Sequence, residues 1–257
     1  MSKVYEALQQ AQTDRQHGKG RLLQERPEKE TPQILPIRVL DQPKQAEEFP
    51  IQLEREMLQL HQNLSSLLDN SKKNIIQFLG SQDNDGTSTI VREYAKVLAM
   101  IYGKSVLLID AHQAQAQFKY FGVHPVISLE QAIMDEEDIR EAVYQVGESQ
   151  LCIASLSSQV RSIANREVSE KKEKVLTSAQ YRFDYILIDS PTLHSSIDSL
   201  ELCKRVHGVV VVIQAEKSRS AVIENVKERI EKNGGTVLGI VFNKEFHYIP
   251  KWLYKHL

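Results

Sequence analysis

The chain has 257 residues, of which 41% are hydrophobic and 26% charged, and its formal net charge is −2 at pH 7. This composition is that of a folded globular protein, so it excludes a chain disordered throughout, and the small net charge gives no general attraction to nucleic acid or anionic lipid. The chain has only two cysteines, which predicts a reduced protein. No apolar run approaches the about 18 residues of a membrane span, and MSKVYEALQQ lacks the apolar core of a signal peptide, so we expect a cytoplasmic protein. The small net charge predicts no nucleic-acid partner.

The first 50 residues are predicted to form two segments ahead of the core. Residues 1–16 have the pattern of a short amphipathic helix, which either docks onto a partner or frays. Residues 17–50 hold five of the eight prolines and predict a flexible, semi-extended arm, because proline lacks the backbone N–H that helices and central strands need. Leucines at helical spacing over residues 51–69 then predict a helix that leads into the first strand.

Residues 74–92, NIIQFLGSQDNDGTSTIVR, have the pattern of a buried strand, a glycine-bearing turn and a helix start, which is the outline of a phosphate-binding loop. In register with G-x-x-x-x-G-K-[ST], Gly86 stands at the second glycine, Thr87 at the lysine and Ser88 at the magnesium hydroxyl. The lysine is therefore missing. Asp83 and Asp85 are also predicted to bring two negative charges to the place where a polyphosphate would bind.

Short apolar runs alternate with helical patterns through the rest of the chain. Strands are predicted at 105–109, 151–154, 185–188, 208–214 and 236–242, and helices near 128–134, 139–144, 167–180, 195–205 and 218–232. Continuous rather than alternating apolarity indicates strands buried on both faces, which favours a parallel sheet. The predicted fold is therefore a doubly wound, mostly parallel α/β sheet with its ligands at the carboxyl ends of the strands.

Three loops are expected to meet at that edge, namely 81–89, 110–114 and 189–193. Asp110 and Asp189 each end a buried strand, a position from which a carboxylate can hold Mg²⁺ directly or through water. A strand-end aspartate can equally cap the turn that follows it, and the sequence alone leaves both roles open.

These motifs resemble the cytoplasmic P-loop domain of the bacterial tyrosine kinases of capsule and exopolysaccharide synthesis, which are relatives of the MinD and ParA ATPases. The resemblance covers about residues 51–254 and is strongest in YILIDSP, GVVVVIQAEKS, VLGIVFNK and YIPKWLY. It implies ATP and Mg²⁺ as cofactors. By position it places the nucleotide at Gly86, Thr87, Ser88 and Thr89, the metal at Ser88, Asp110 and Asp189, catalysis at Asp110 and Asp189, and phosphorylation at Tyr248 and Tyr254.

The resemblance also implies a partner and an organisation. A membrane-embedded polysaccharide copolymerase or chain-length protein would hold the chain at the inner membrane, with residues 1–16 a helix, 17–50 the arm, 51–243 the P-loop domain and 244–257 a tail that contacts the partner or folds back. The family closes homo-oligomeric rings through an E-x-x-R-x-x-R helix. Here Arg55, Leu58 and His61 fall on those positions without matching, so we expect weak ring formation. If the helix instead buries Met57, Leu58 and Leu64 against another protein, the product would be a hetero-complex or a small oligomer.

The departures from the family fall where catalysis would reside. The D-x-D-x-R motif keeps Asp110 but has His112 and Ala114 at the second aspartate and the arginine. Loss of the lysine alone is predicted to cost about 3 kcal/mol of transition-state stabilisation. We therefore predict a catalytically degenerate, kinase-like scaffold or regulator of exopolysaccharide biosynthesis, for which weak ATP binding without turnover is the most we expect. The alternative is an active ATP-dependent tyrosine autokinase in which Lys104, Lys217 or a neighbouring subunit replaces the lysine; a ParA-like ATPase is a more distant one.

Overall fold

The computed structural model describes residues 38–40, 51–68, 74–112, 114–156, 173–174, 176–215 and 220–244, all within one compact unit, Ile34–Leu257. Within these ranges eight strands form one sheet in the order β1-β4-β5-β3-β6-β2-β7-β8. All neighbouring pairs are parallel except β4 and β5. The strands are β1 Arg38–Leu40, β2 Asn74–Gly80, β3 Val106–Asp110, β4 Val143–Val146, β5 Leu151–Ser155, β6 Tyr185–Ser190, β7 Gly208–Gln214 and β8 Val237–Asn243.

Helices cover both faces of this sheet, because side chains along a strand point alternately to opposite sides. In β2, Ile76 and Phe78 pack against the first two helices, whereas Ile75 and Leu79 belong to clusters on the other face. This arrangement confirms the predicted doubly wound, mostly parallel α/β fold. The helices are α1 Ile51–Leu67, α2 Thr87–Met100, α3 Ala116–Tyr120, α4 Leu129–Met134, α5 Asp198–Cys203 and α6 Ser220–Lys232.

The prediction of a helix over 139–144 is wrong in its second half. A 3-10 helix spans Ile139–Ala142, and the chain then enters β4, which pairs antiparallel with β5. Gly147, at φ +55°, allows the tight reversal that joins these two strands. The apolar residues of β4 read as one side of a helix in the sequence, and only the pairing with β5 makes them a strand.

Other element boundaries differ from the predictions by smaller amounts. Three residues of the predicted arm form the edge strand β1, and the short helix α3 was not predicted. The helix predicted over 195–205 is reduced to α5, because the amides of Ser195 and Ser196 close a turn on the Thr192 carbonyl. The N-terminal helix, most of the arm and the tail beyond residue 244 lie outside the described residues.

Helix α1 packs into the protein's own core. Met57 is 2% and Leu64 3% exposed, so the case in which these two side chains are buried against another protein does not apply. His61, at one ring-forming position, stacks 4.1 Å from the Tyr102 ring and lies 3.1 Å from the Tyr94 hydroxyl. This face of α1 is therefore committed to contacts within the chain. Among the helices that the structure describes, none is long and apolar enough to cross a bilayer.

Candidate functional site

The three predicted loops meet at the carboxyl edge of the sheet. Strand β6 lies between β2 and β3, and Asp110 pairs in register with Asp189. An open cleft of about 470 Å³ lies above them. The described residues that line it come from the loop after β2, the loops after β3 and β6, and the end of β8: Gly80, Gln82, Asp83, Asn84, Asp85, Gly86, Thr87, Ser88, Thr89, His112, Ala116, Ser190, Thr192 and Lys244.

The loop between β2 and α2 is shaped by glycine and by contacts from distant strands. Gly86 adopts φ +92°, and a Cβ at this position would overlap the side-chain amide of Asn243. The amide of Ser81 donates to the carbonyl of Val212 in β7 at 3.0 Å. After Gly86 the chain enters α2, where the amides of Thr89 and Ile90 donate to the Gly86 carbonyl and those of Thr87 and Ser88 remain at the open helix end. The loop therefore keeps the backbone outline of an anion cradle.

Asp85 does not face the cleft with a free charge, contrary to the sequence prediction. Its Oδ2 accepts hydrogen bonds from the Ser81 hydroxyl and from the Gln82 amide, both at 2.8 Å. The residue is only 4% exposed. Its carboxylate thus holds the loop together from within. Asp83 remains exposed, with the Thr192 hydroxyl 3.4 Å from its Oδ1, so the cleft faces one open carboxylate rather than two.

Both carboxylate oxygens of Asp110 accept backbone N–H groups of the loop that follows it. Its Oδ1 accepts from the His112 amide at 3.0 Å, and its Oδ2 accepts from the Gln117 amide at 2.8 Å. The capping role that the sequence left open for Asp110 is therefore present in the structure. These bonds determine the path of the chain between β3 and α3.

Asp189 is fully buried and is approached by the side chains of Gln117, Ser88 and His112. The Gln117 side-chain amide donates to Asp189 Oδ2 at 2.6 Å and to the Ser88 carbonyl at 2.9 Å. His112 Nε2 lies 3.6 Å from Asp189 Oδ1, too far for a hydrogen bond, and neither atom has another partner among the described residues. An imidazole therefore occupies the side of Asp189 that would face a cation.

Burial raises the pKa of these carboxyls. The pKa of Asp189 rises to about 6 because the folded protein removes water from it, and hydrogen bonds from Gln117 and Ser88 partly oppose the rise. Burial, followed by the charge of Asp189, also raises the pKa of Asp110 to about 6. The pKa of His112 is lowered, mainly by burial. At neutral pH the imidazole is thus mostly uncharged, and it does not neutralise the two aspartates as a metal would.

The oxygens at this edge are partly engaged by the chain's own N–H groups, which disfavours the magnesium site that the resemblance implies. Mg²⁺ requires near-octahedral oxygen ligands at about 2.0–2.1 Å, usually carboxylates, hydroxyls and water. Both oxygens of Asp110 and one oxygen of Asp189 already accept N–H groups, and His112 stands beside the remaining oxygen. Within the ranges that the structure describes, no group of three or more His, Cys, Asp or Glu side chains is placed to hold a metal ion.

Some of the remaining residues predicted for the site line the cleft, and others lie at the opposite edge of the sheet or outside the described residues. Thr87, at the lysine position, lines the cleft but is mostly buried, and a Cβ built on Gly80 would lie 2.9 Å from its hydroxyl. Ser88 and Thr89 line the cleft. Lys104 precedes β3, so it lies at the opposite edge of the sheet and cannot replace the lysine. Lys217, Tyr248 and Tyr254 lie outside the described residues.

Three residues of the site were missed in the sequence. Gln117 gave no signal, because a glutamine in a short helix has no motif to mark it. Asn243 and Lys244 end the VFNK segment, and the rule that parallel strands deliver their carboxyl ends to one edge could have included them. They donate to the Asp85 and Asn84 carbonyls, each at 2.7 Å.

Curated relatives of this chain are named as tyrosine-protein kinases. The chain is 25% identical over 174 residues to tyrosine-protein kinase CpsD of Streptococcus agalactiae, which covers 66% of this chain and 75% of CpsD. It is 24% identical over 143 residues to the putative tyrosine-protein kinase CapB of Staphylococcus aureus, which covers 55% of this chain and 63% of CapB. No protein-family model matches the chain.

Solved structures share the fold at low identity. The kinase domain of Escherichia coli tyrosine kinase ETK aligns with a TM-score of 0.65 at 16% identity, over 77% of this chain and 78% of that one. The chimerical protein CapA2B2 aligns with a TM-score of 0.66 at 17% identity, over 80% of this chain and 92% of that one. The septum site-determining protein MinD from Pyrococcus horikoshii, complexed with Mg-ADP, aligns with a TM-score of 0.51 at 19% identity, over 71% of this chain and 76% of that one. These matches confirm the predicted resemblance and fold, and activity must be argued from the site.

Proposed function

We propose that this protein is a kinase-like scaffold or regulator of exopolysaccharide biosynthesis that does not transfer phosphoryl groups. The observation that carries the proposal is the engagement of the strand-end carboxylates by the chain itself. Asp110 accepts two backbone amides, and Asp189 accepts the Gln117 side chain while His112 stands at its other oxygen. The groups that would place a metal are therefore part of the protein's internal hydrogen bonding.

Phosphoryl transfer by P-loop enzymes depends on positioned charges, namely a loop lysine on the phosphates and Mg²⁺ between their oxygens. Here the lysine position is a buried threonine, Thr87. Deleting one preorganised donor of this kind typically costs about 3 kcal/mol of transition-state stabilisation, a factor of more than a hundred in rate. When the metal oxygens are lost as well, turnover falls below a useful rate.

The biological setting of the proposal rests on the relatives, which are named tyrosine-protein kinases. The family that the sequence resembles works in capsule and exopolysaccharide synthesis with a membrane-embedded copolymerase or chain-length protein. We infer that this chain lies in the cytoplasm at the inner membrane through such a partner. Its P-loop domain, residues 51–243, would be presented by the segments at either end, residues 1–50 and 244–257.

Phosphotyrosine detection tests the proposal directly. The purified chain is incubated with ATP and Mg²⁺, and its peptides are analysed by mass spectrometry, with CpsD of Streptococcus agalactiae in parallel to test the assay. We expect no phosphate on Tyr248 or Tyr254. Labelling of either tyrosine that disappears in Asp110→Ala or Asp189→Ala would overturn the proposal, because it would show that these carboxylates are catalytic.

Stepwise restoration identifies which missing part matters. Thr87→Lys should raise nucleotide affinity by about tenfold, since it adds a charged donor at the loop, but it should give no labelling. Labelling should require His112→Asp and Gln117→Ala in addition, because these changes release the oxygens of Asp189. Asp85 is left intact in every variant, since its carboxylate holds the loop.

A further inference from the structure

The end of β8 brings a cation to the phosphate-binding loop. Because β8 pairs with β7 and β7 with β2, the residue after β8 reaches the loop that follows β2. Lys244, at φ +56°, turns back over this loop, and its Nζ donates to the carbonyl of Asn84 at 2.7 Å. Of the described residues that line the cleft, it is the one lysine or arginine.

The charge of Lys244 is available to a ligand. Its hydrogen-bond acceptor is a neutral carbonyl, and among the residues that the structure describes no carboxylate forms an ion pair with it. The side chain is exposed at the mouth of the cleft. Asp85 is withdrawn into the loop, where two donors satisfy it, so Asp83 is the one carboxylate of this loop left open to the cleft.

At the inner end of the cleft, groups of the chain itself contact the two buried aspartates. In a metal-dependent site the buried aspartates would hold a cation that screens them from the phosphates. Here N–H groups of His112 and Gln117 satisfy three of the four carboxylate oxygens, and the His112 ring covers the fourth. Asp110 and Asp189 are thus not among the residues that line the cleft, whereas His112 is.

We propose that the cleft binds the polyphosphate of a nucleotide without a divalent metal, with Lys244 supplying the positive charge in place of the absent loop lysine. The inference rests on the proposed function and deepens it, because binding without metal gives a ligand-sensing site that does not turn over. The amides at the start of α2 would donate to a phosphate group bound next to Gly86. The ammonium group of Lys244, which also lines the cleft, would contact the same polyphosphate.

Binding of a fluorescent ADP analogue to the full chain, measured by anisotropy in excess EDTA and in Mg²⁺, tests the proposal. We expect saturable binding in EDTA with an affinity within about twofold of that in Mg²⁺. Inorganic triphosphate should displace the analogue, whereas adenosine should displace it poorly. Absence of binding in EDTA, or binding that appears only with Mg²⁺, would overturn the proposal.

Lysine variants test the assigned residue. Lys244→Ala should weaken binding by about tenfold, and Lys244→Gln, which retains an N–H donor for Asn84, should weaken it similarly because the charge is lost. Lys244→Arg should stay within about threefold of the wild type. Lys104→Ala, at the opposite edge, is the matched control and should not change binding. Equal binding by Lys244→Ala and the wild type, with both proteins folded, would refute the role of Lys244.

The failures of the two proposals are distinguishable. If the protein binds nucleotide in EDTA but also labels a tyrosine with Mg²⁺, the proposed function is wrong while the metal-free site stands. If it neither binds nor labels, the metal-free site is wrong while the proposed function stands. Far-UV circular dichroism and thermal unfolding of each variant keep loss of binding separate from loss of fold.

Discussion

The side-chain amide of Asn243 donates a 2.7 Å hydrogen bond to the carbonyl of Asp85, which joins the last strand of the sheet to the loop after β2. The two residues are 158 positions apart in the chain. The contact leaves no space for a Cβ at Gly86, the next residue. The loop conformation is thus set by a strand on the outside of the sheet as well as by the loop's own sequence.

Gly86→Ala should destabilise the protein by more than about 2 kcal/mol. An alanine at φ +92° carries about 1–2 kcal/mol of backbone strain, and its Cβ would also displace Asn243. Urea unfolding measures the loss. Gly103→Ala is the matched control, since Gly103 is at φ +60° with open space around it and has backbone strain alone. Equal losses for the two variants would show that the Asn243 contact is unimportant.

Asp85→Ala should lower the free energy of unfolding by about 2 kcal/mol, because it leaves the Ser81 hydroxyl and the Gln82 amide without their acceptor. Asp83→Ala removes a carboxylate of the same loop that is exposed, and it should change stability by less than about 0.5 kcal/mol. Chemical denaturation of each variant measures both changes in the free energy of unfolding. A larger loss for Asp83→Ala would contradict the orientation of the two side chains.

Asp189→Asn should stabilise the protein at pH 7 and not at pH 4. Burial raises the pKa of Asp189 to about 6, above the value near 3.9 of an unfolded chain. Stability from the protonated carboxyl is therefore fully present below about pH 4 and is lost as pH rises through about 6. Asparagine keeps an acceptor for Gln117 without the charge, so the gain at pH 7 should be about 2 kcal/mol.

Urea unfolding of wild type and Asp189→Asn between pH 4 and pH 7.5 measures this difference, with the exposed Asp135→Asn as control. Asp110 and His112 face the same carboxyl and contribute to the wild-type profile. A difference between wild type and Asp189→Asn that does not change with pH would show that Asp189 does not titrate in this range.

Truncation after Lys244 should leave a folded protein that binds nucleotide but no longer co-purifies with membranes. The cut keeps β8 and the contacts of Asn243 and Lys244 with the loop, and it removes the apolar and basic segment that contains Tyr248 and Trp252. Such a composition suits a partner groove or a bilayer interface. Membrane fractionation is the measurement, and membrane association retained by the truncated protein would exclude the tail as the attachment.

Much of the fold could be predicted from the sequence because the buried strands are continuous apolar runs. Strand β6, YILIDS, and strand β7, GVVVVIQ, need burial on both faces, and that requirement gives a parallel sheet with helices on each side. Strand β4 could not be predicted in this way. Its residues VYQV are too few to show a period, and antiparallel pairing with β5 decides their conformation.

The candidate site could be located but not described from the sequence. The meeting of three loops follows from strand order alone, whereas the direction of a side chain depends on partners that are far away in the chain. Asp85 turns inward because Ser81 and Gln82 offer donors, and Gln117 reaches Asp189 across 72 positions. A sum of the formal charges along the loop therefore overestimates the negative charge that faces the cleft.

The dependence of the loop on Asn243 also sets an order of assembly during synthesis. Residues 81–86 emerge from the ribosome long before β8, yet the folded loop includes the hydrogen bond from Asn243. At about 5–20 residues per second the intervening segment takes on the order of ten seconds to appear. A nascent chain released before β8 should thus hold most of its sheet but an unformed cradle, so incomplete products would not compete with the finished protein for nucleotide.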